Sequence, residues 1–304
     1  MADKKEKKSG RRASKEKTDI LCDKLSFAGA EAYKLLRTNL QFTTPDKDCR
    51  IIGITSSIRG EGKSTTSVNL SYTIAQSGKR VLLIDGDMRL PTVHSKLELS
   101  CSPGLSNLLA GLCEEREALR VSKYYNNWYI MPAGDIPPNP SELLGSEQMH
   151  NLLIRFEELF DYIILDMPPV NIVSDALVIS PWTDGLLTVV RQNYTTGRAL
   201  HDCMYQVERV NARFLGFVMT DADVGELAYK KYGRYGKRHY GNYGRRGYGY
   251  GYGGGYGYGA YSSGYGYGAY GPYGNNGAGT DRDTRRAFRD ALQNRDDGSG
   301  NIIE

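Results

Sequence analysis

The stretch SSIRGEGKSTT, residues 56–66, lies between an apolar run and a segment of helical period, and it constrains this chain more than any other feature. Gly60 and Gly62 let backbone N–H groups turn inward around an anion, and the helix that follows presents its positive end to the same point. Such a loop makes Arg59, Gly60, Glu61, Gly62, Lys63, Ser64 and Thr65 candidates for holding a nucleotide. Lys63 is placed for the β- and γ-phosphates, and the Ser64 hydroxyl for Mg2+. A strict phosphate-binding loop carries Gly where Ser57 stands, so the match rests on Gly-Lys-Ser and its flanks.

From Arg50 onward, apolar runs of strand length alternate with segments of helical period. That pattern predicts an α/β fold of the P-loop NTPase kind, with a mostly parallel, doubly wound sheet and right-handed crossovers. The expected strands are Ile51 to Thr55, Val81 to Asp85, Tyr162 to Asp166, Gly185 to Arg191 and Leu215 to Thr220. The expected helices run from Lys63 to Ser77 before Gly78, from a cap at Ser146 to Phe160, and from Thr195 to Asn211. Asp85 and Asp166 end their strands, where parallel sheets bind ligands, and both are candidates for the metal. Asp87 lies two residues beyond Asp85, so in extended chain the two share a face. Lys63, Asp85, Asp87 and Asp166 are therefore the catalytic candidates.

The ends have a different composition. Residues 1–25 form a basic arm, and 26–224 hold the one domain. Residues 225–280 form a Gly/Tyr-rich tail, with fifteen of the 23 tyrosines lying between Tyr229 and Tyr273. That tail has too little aliphatic content to build a core. In 281–304, Ala287, Phe288, Ala291 and Leu292 share one face of a short helix. The five cysteines, Cys22, Cys49, Cys101, Cys113 and Cys203, show neither a disulfide framework nor zinc-ligand spacing. No apolar run reaches a membrane span's length and no signal-peptide core is present, which together predict a cytoplasmic protein.

Taken together, RGEGKSTTSVNL, VLLIDGDMR, ILDMPP and the tyrosine-rich terminus resemble the bacterial tyrosine kinases that regulate capsule and exopolysaccharide synthesis. The likeness covers roughly Ala30 to Asp223, plus the tail by composition. It implies Mg-ATP as cofactor, with Lys63 and Ser64 in the phosphate loop and Asp85, Asp87 and Asp166 at the metal. Asp85 would orient or deprotonate the attacking tyrosine. The resemblance also implies autophosphorylation in the tail, with Tyr248, Tyr250, Tyr252, Tyr256, Tyr258, Tyr261, Tyr265, Tyr267, Tyr270 and Tyr273 as candidates. An early helix of that family carries an ExxRxxR motif used between subunits of a ring. It is matched here by Glu31, Lys34 and Arg37, with Lys34 replacing an arginine. A separate transmembrane activator, a tyrosine phosphatase and recruitment to the inner face of the membrane complete what the likeness implies, and no DNA partner is expected.

Two other readings compete. A partitioning or septum-positioning ATPase shares the fold, but its signature lysine would fall at Ile58. A tail that binds RNA or self-associates would suit the basic stretch from Lys230 to Arg246, yet it leaves Asp85 and Asp166 unexplained.

Overall fold

Strands that are apolar at every position need cover on both faces, and the chain supplies it with helices packed on either side of one sheet. The computed structural model describes residues 24–44 and 46–222. The tail tyrosines, residues 1–23 of the basic arm and the short helix expected in 281–304 lie outside the described residues.

The first helix, α1 (Phe27–Thr43), opens on Ser26, whose hydroxyl accepts the Gly29 N–H at 3.3 Å. It is followed by β1 (Arg50–Ser56), α2 (Lys63–Gln76) and β2 (Val81–Asp85). Short helices α3 (Val93–Leu97), α4 (Leu105–Leu109) and α5 (Glu115–Ala118) lead to the hairpin strands β3 (Arg120–Val121) and β4 (Trp128–Met131). Then come α6 (Pro140–Leu144), α7 (Glu147–Glu157), β5 (Tyr162–Asp166), α8 (Asp175–Ile179), β6 (Gly185–Arg191), α9 (Gly197–Arg209) and β7 (Phe214–Thr220). The strand order is β3-β4-β2-β5-β1-β6-β7. Every pairing is parallel except β3 with β4.

Side chains of β1 alternate across the sheet. Ile52 and Ile54 join Val68, Leu70 and Ile74 of α2, together with Leu40 of α1, in the main core. The opposite face is closed by Met149, Leu152, Leu153 and Phe156 of α7, all buried. The five expected strands are present, with β1 one residue longer at each end than its apolar run. Ser146 caps α7 as its position predicts, accepting the Met149 N–H at 3.2 Å. That helix stops at Glu157 rather than Phe160, because the N–H groups of Leu159 and Phe160 both turn back to the Phe156 carbonyl. Likewise α9 begins after Thr196, whose hydroxyl accepts the Ala199 N–H, and it ends before Asn211, which turns at φ 53°.

Candidate active site

The phosphate loop leaves β1 at Ser56 and enters α2 through Gly62. Gly60 (φ 82°) and Gly62 (φ 93°) both adopt the left-handed backbone that the expected loop requires. No side chain caps α2, so the N–H groups of its first turn remain available to a ligand. In front of the loop lies a cavity of about 320 Å³, whose wall includes Arg59, Gly60, Lys63, Ser64, Thr65 and Asp87.

The carboxyl ends of β2 and β5 place Asp85 and Asp166 in register beside one another. Both are fully buried. Asp166 accepts the Ser67 hydroxyl at 2.9 Å on one oxygen, while its Oδ2 is buried with no hydrogen-bond partner among the described residues. An orphaned buried carboxylate oxygen beside the Ser64 hydroxyl fits a hard, oxygen-seeking cation such as Mg2+. Burial first, and then the Asp166 charge next to it, push the Asp85 carboxyl up to about 8. Burial raises Asp166 as well, against the pull of Lys63 and the Ser64 and Ser67 hydroxyls.

The two carboxylates of Asp-Gly-Asp do not act as one pair. Asp85 turns back into the chain, its Oδ2 accepting the N–H groups of Thr92 and Val93 at 3.1 and 3.0 Å. Its other oxygen accepts the Asp87 N–H at 3.3 Å. The strand stops at Asp85, so period-two alternation no longer applies at Asp87, and the expectation of a shared face is corrected. Asp87 is the one that lines the cavity, its Oδ2 bonded to the Lys63 ammonium at 2.7 Å. Burial works against the charge on Lys63, but Asp166 and Asp87 outweigh it and hold the ammonium above its ordinary range.

A second correction concerns Glu61, expected among the nucleotide-binding residues. Its side chain is fully buried beneath the loop and does not line the cavity. The Ser57 hydroxyl donates to it at 2.8 Å, the Ile58 N–H donates at 2.8 Å, and Thr195 Oγ1 donates from the start of the α9 connection. Glu61 therefore shapes the loop from below and can offer a phosphate only its backbone. The outer rim is held similarly: the Tyr194 hydroxyl donates to the Arg59 carbonyl at 3.0 Å, Arg191 to the Gly60 carbonyl at 3.2 Å, and Thr220 to the Glu61 carbonyl at 2.7 Å.

Glu31, Lys34 and Arg37 lie on α1 but engage different partners. Lys34 pairs with Glu31 at 2.8 Å, half exposed, whereas Arg37 turns inward to the Thr73 carbonyl of α2 at 2.7 Å. Sequence reasoning missed Arg89, which grips buried Asp175 at 3.0 and 3.2 Å and Ser141 at 3.0 Å, tying the β2 exit to α6 and α8. Its place two residues past Asp87 was the available signal.

The AAA domain family matches residues 49–215. Tyrosine-protein kinase YwqD of Bacillus subtilis strain 168 is 34% identical over 209 residues, spanning 69% of this chain and 87% of that protein. The chain belongs to the bacterial tyrosine-protein kinases. Tyrosine-protein kinase CpsD of Streptococcus agalactiae is 33% identical over 209 residues, covering 68% of this chain and 90% of the relative. Among solved structures, the kinase domain of Escherichia coli tyrosine kinase ETK superposes with a TM-score of 0.63 at 31% identity, over 69% of this kinase and 82% of that domain. The chimerical protein CapA2B2 does so with a TM-score of 0.60 at 34% identity, over 64% and 84%.

Proposed function

We propose that this tyrosine-protein kinase transfers the terminal phosphoryl group of Mg-ATP to tyrosine hydroxyls, those of its own tail included, and so regulates capsule or exopolysaccharide synthesis and export. The observation that carries this reading is the convergence on one cavity of Lys63, Ser64 and Asp87, with Asp166 directly behind them. Mg2+ held by Ser64 and Asp166 would neutralise charge on the phosphates. Phosphoryl transfer needs chiefly positioning and charge stabilisation, which the loop N–H groups and Lys63 supply. When nucleotide phosphates draw the Lys63 ammonium away, the Asp87 carboxylate is freed to accept the proton of an incoming tyrosine hydroxyl. Asp85, beside Asp166 on the neighbouring strand, braces the 85–93 turn.

The tail tyrosines from Tyr248 to Tyr273 are the proposed acceptors, supported by their density in the sequence. No helix among the described residues is long and apolar enough to cross a membrane. Recruitment to the inner membrane face by a separate transmembrane activator, assembly into a ring and reversal by a tyrosine phosphatase belong to the same proposal, on the strength of the family likeness. The test is to incubate the purified full chain with Mg-ATP and a membrane-activator cytoplasmic fragment, then probe for phosphotyrosine. Strong labelling that disappears when 225–280 are deleted is the expected result. Absence of phosphotyrosine from the full chain would overturn the reading.

A further inference from the structure

Lys96 belongs to none of the motifs considered so far. It projects from α3 into the cavity that Arg59 and Lys63 also line, and its ammonium donates to Thr65 Oγ1 at 3.2 Å. The cavity wall thus carries three cations against a single carboxylate, Asp87, and that carboxylate is already bonded to Lys63. Among the described residues Lys96 has no ion pair at all. Burial lowers the affinity of its amine for a proton, with Lys63 adding to that effect and Asp166 opposing it. A cation held partly out of water without a counter-charge is unfavourable until an anion arrives.

The position of Thr65 indicates which anion. Lys63 and Ser64 address the outer phosphates and the metal, and Thr65 is the next residue around the first turn of α2. A phosphate oxygen accepting the Thr65 hydroxyl would also be in reach of Lys96. We propose that Lys96 is a nucleotide-binding residue of this kinase, its ammonium meeting the phosphate nearest the ribose beside Thr65. This rests on the Mg-ATP reading above. A phosphate shared by ADP and ATP is held alike before and during transfer, so losing its contact weakens binding much more than it slows turnover.

The test compares the full-length wild type with Lys96→Met, which keeps the apolar stem, and Lys96→Arg, which keeps the charge. Calorimetric titration uses Mg-ADP and a non-hydrolysable Mg-ATP analogue, and steady-state assays give KM for ATP and for a tyrosine peptide. For Lys96→Met, both nucleotides should bind about tenfold more weakly, with a similar rise in KM for ATP. Lys96→Arg should recover most of that loss, which a purely structural role for the stem would not produce. Unchanged Mg-ADP affinity overturns the proposal. So does a loss confined to the ATP analogue, which would move the contact to the terminal phosphate, or a rise in KM for the peptide alone, which would move it to the acceptor. If Lys96→Met does not fold, Lys96→Gln measured in the same way decides. A wild type that binds neither nucleotide refutes the Mg-ATP reading itself, a separate outcome.

Discussion

Asp166→Asn should yield a kinase that is inactive yet more stable than the wild type when nucleotide and metal are absent. Asp166 and Asp85 are both fully buried and lie in register on adjacent strands, so ionising both is opposed by lost hydration and by their mutual repulsion. An asparagine can keep the Ser67 hydrogen bond with its carbonyl while its amide replaces the oxygen that has no partner. The sign follows from linkage: a carboxyl raised in the folded state binds its proton more tightly there than in the unfolded chain. Its contribution to stability is complete below about pH 4 and is lost as pH climbs through the folded value. Asp85 is pushed from 3.8 to about 8. Burial, the first cause of that shift, persists in the variant, which relieves only the repulsion between the two carboxyls and the ionisation of Asp166 itself, on the order of 3 kcal/mol at most. Retaining a buried amide gives back part of this, leaving about 2 kcal/mol, or a Tm rise of about 4–8 °C for a domain of this size. Thermal melts in EDTA at pH 5 and pH 8 measure the gap between variant and wild type. It should be small at the lower pH and full at the higher. A variant that melts below the wild type at pH 8, or a gap that does not change with pH, refutes the argument.

Other outcomes follow from the same geometry. Lys63→Met should lower phosphotyrosine formation at least a hundredfold while leaving the fold intact, and mixing it with an active, tail-deleted chain tests whether its own tail is labelled between subunits. Glu61→Gln should cost about 1–3 kcal/mol, seen as a lower Tm, because an amide nitrogen would face the donors of Ser57, Ile58 or Thr195; an unchanged Tm would show that the carboxylate does not hold the loop. Arg89→Ala should cost about 3 kcal/mol by stranding the buried Asp175 carboxylate, and the companion change Asp175→Asn should recover part of that in a double-mutant cycle. Asp87→Asn should slow transfer with little loss of Mg-ADP affinity; equal losses of both would place Asp87 with the metal instead.

Legibility in the sequence followed length and periodicity. Strands β1, β2, β5, β6 and β7 and helices α2, α7 and α9 were readable because each repeats its pattern for several residues between clear boundaries. The hairpin strand Arg120–Val121 and helices of four or five residues, such as α3 and α5, are too short to show a period, and Lys96 was hidden with them. At the site, Lys63, Ser64 and Asp166 were legible as candidates because each stands in a motif of the chain. The inward turn of Glu61 was not, since its hydroxyl partner Thr195 stands 134 residues away and only the folded sheet brings the two together. The split between Asp85 and Asp87 depends on where β2 ends, and strand ends are set by tertiary hydrogen bonds.

The clamp on the phosphate loop also has a meaning in time. Its contacts to Glu61, Gly60 and Arg59 come from Arg191, Tyr194, Thr195 and Thr220, residues made more than a hundred positions later. The strand that feeds the loop pairs with β5 and β6, never with β2. A ribosome that has synthesised the loop, α2 and β2 has therefore produced the motif but not its shape. Until the strand ending at Thr220 clears the exit tunnel, the nascent chain should be unable to retain nucleotide, so ATP cannot be engaged by a kinase domain that is still being made.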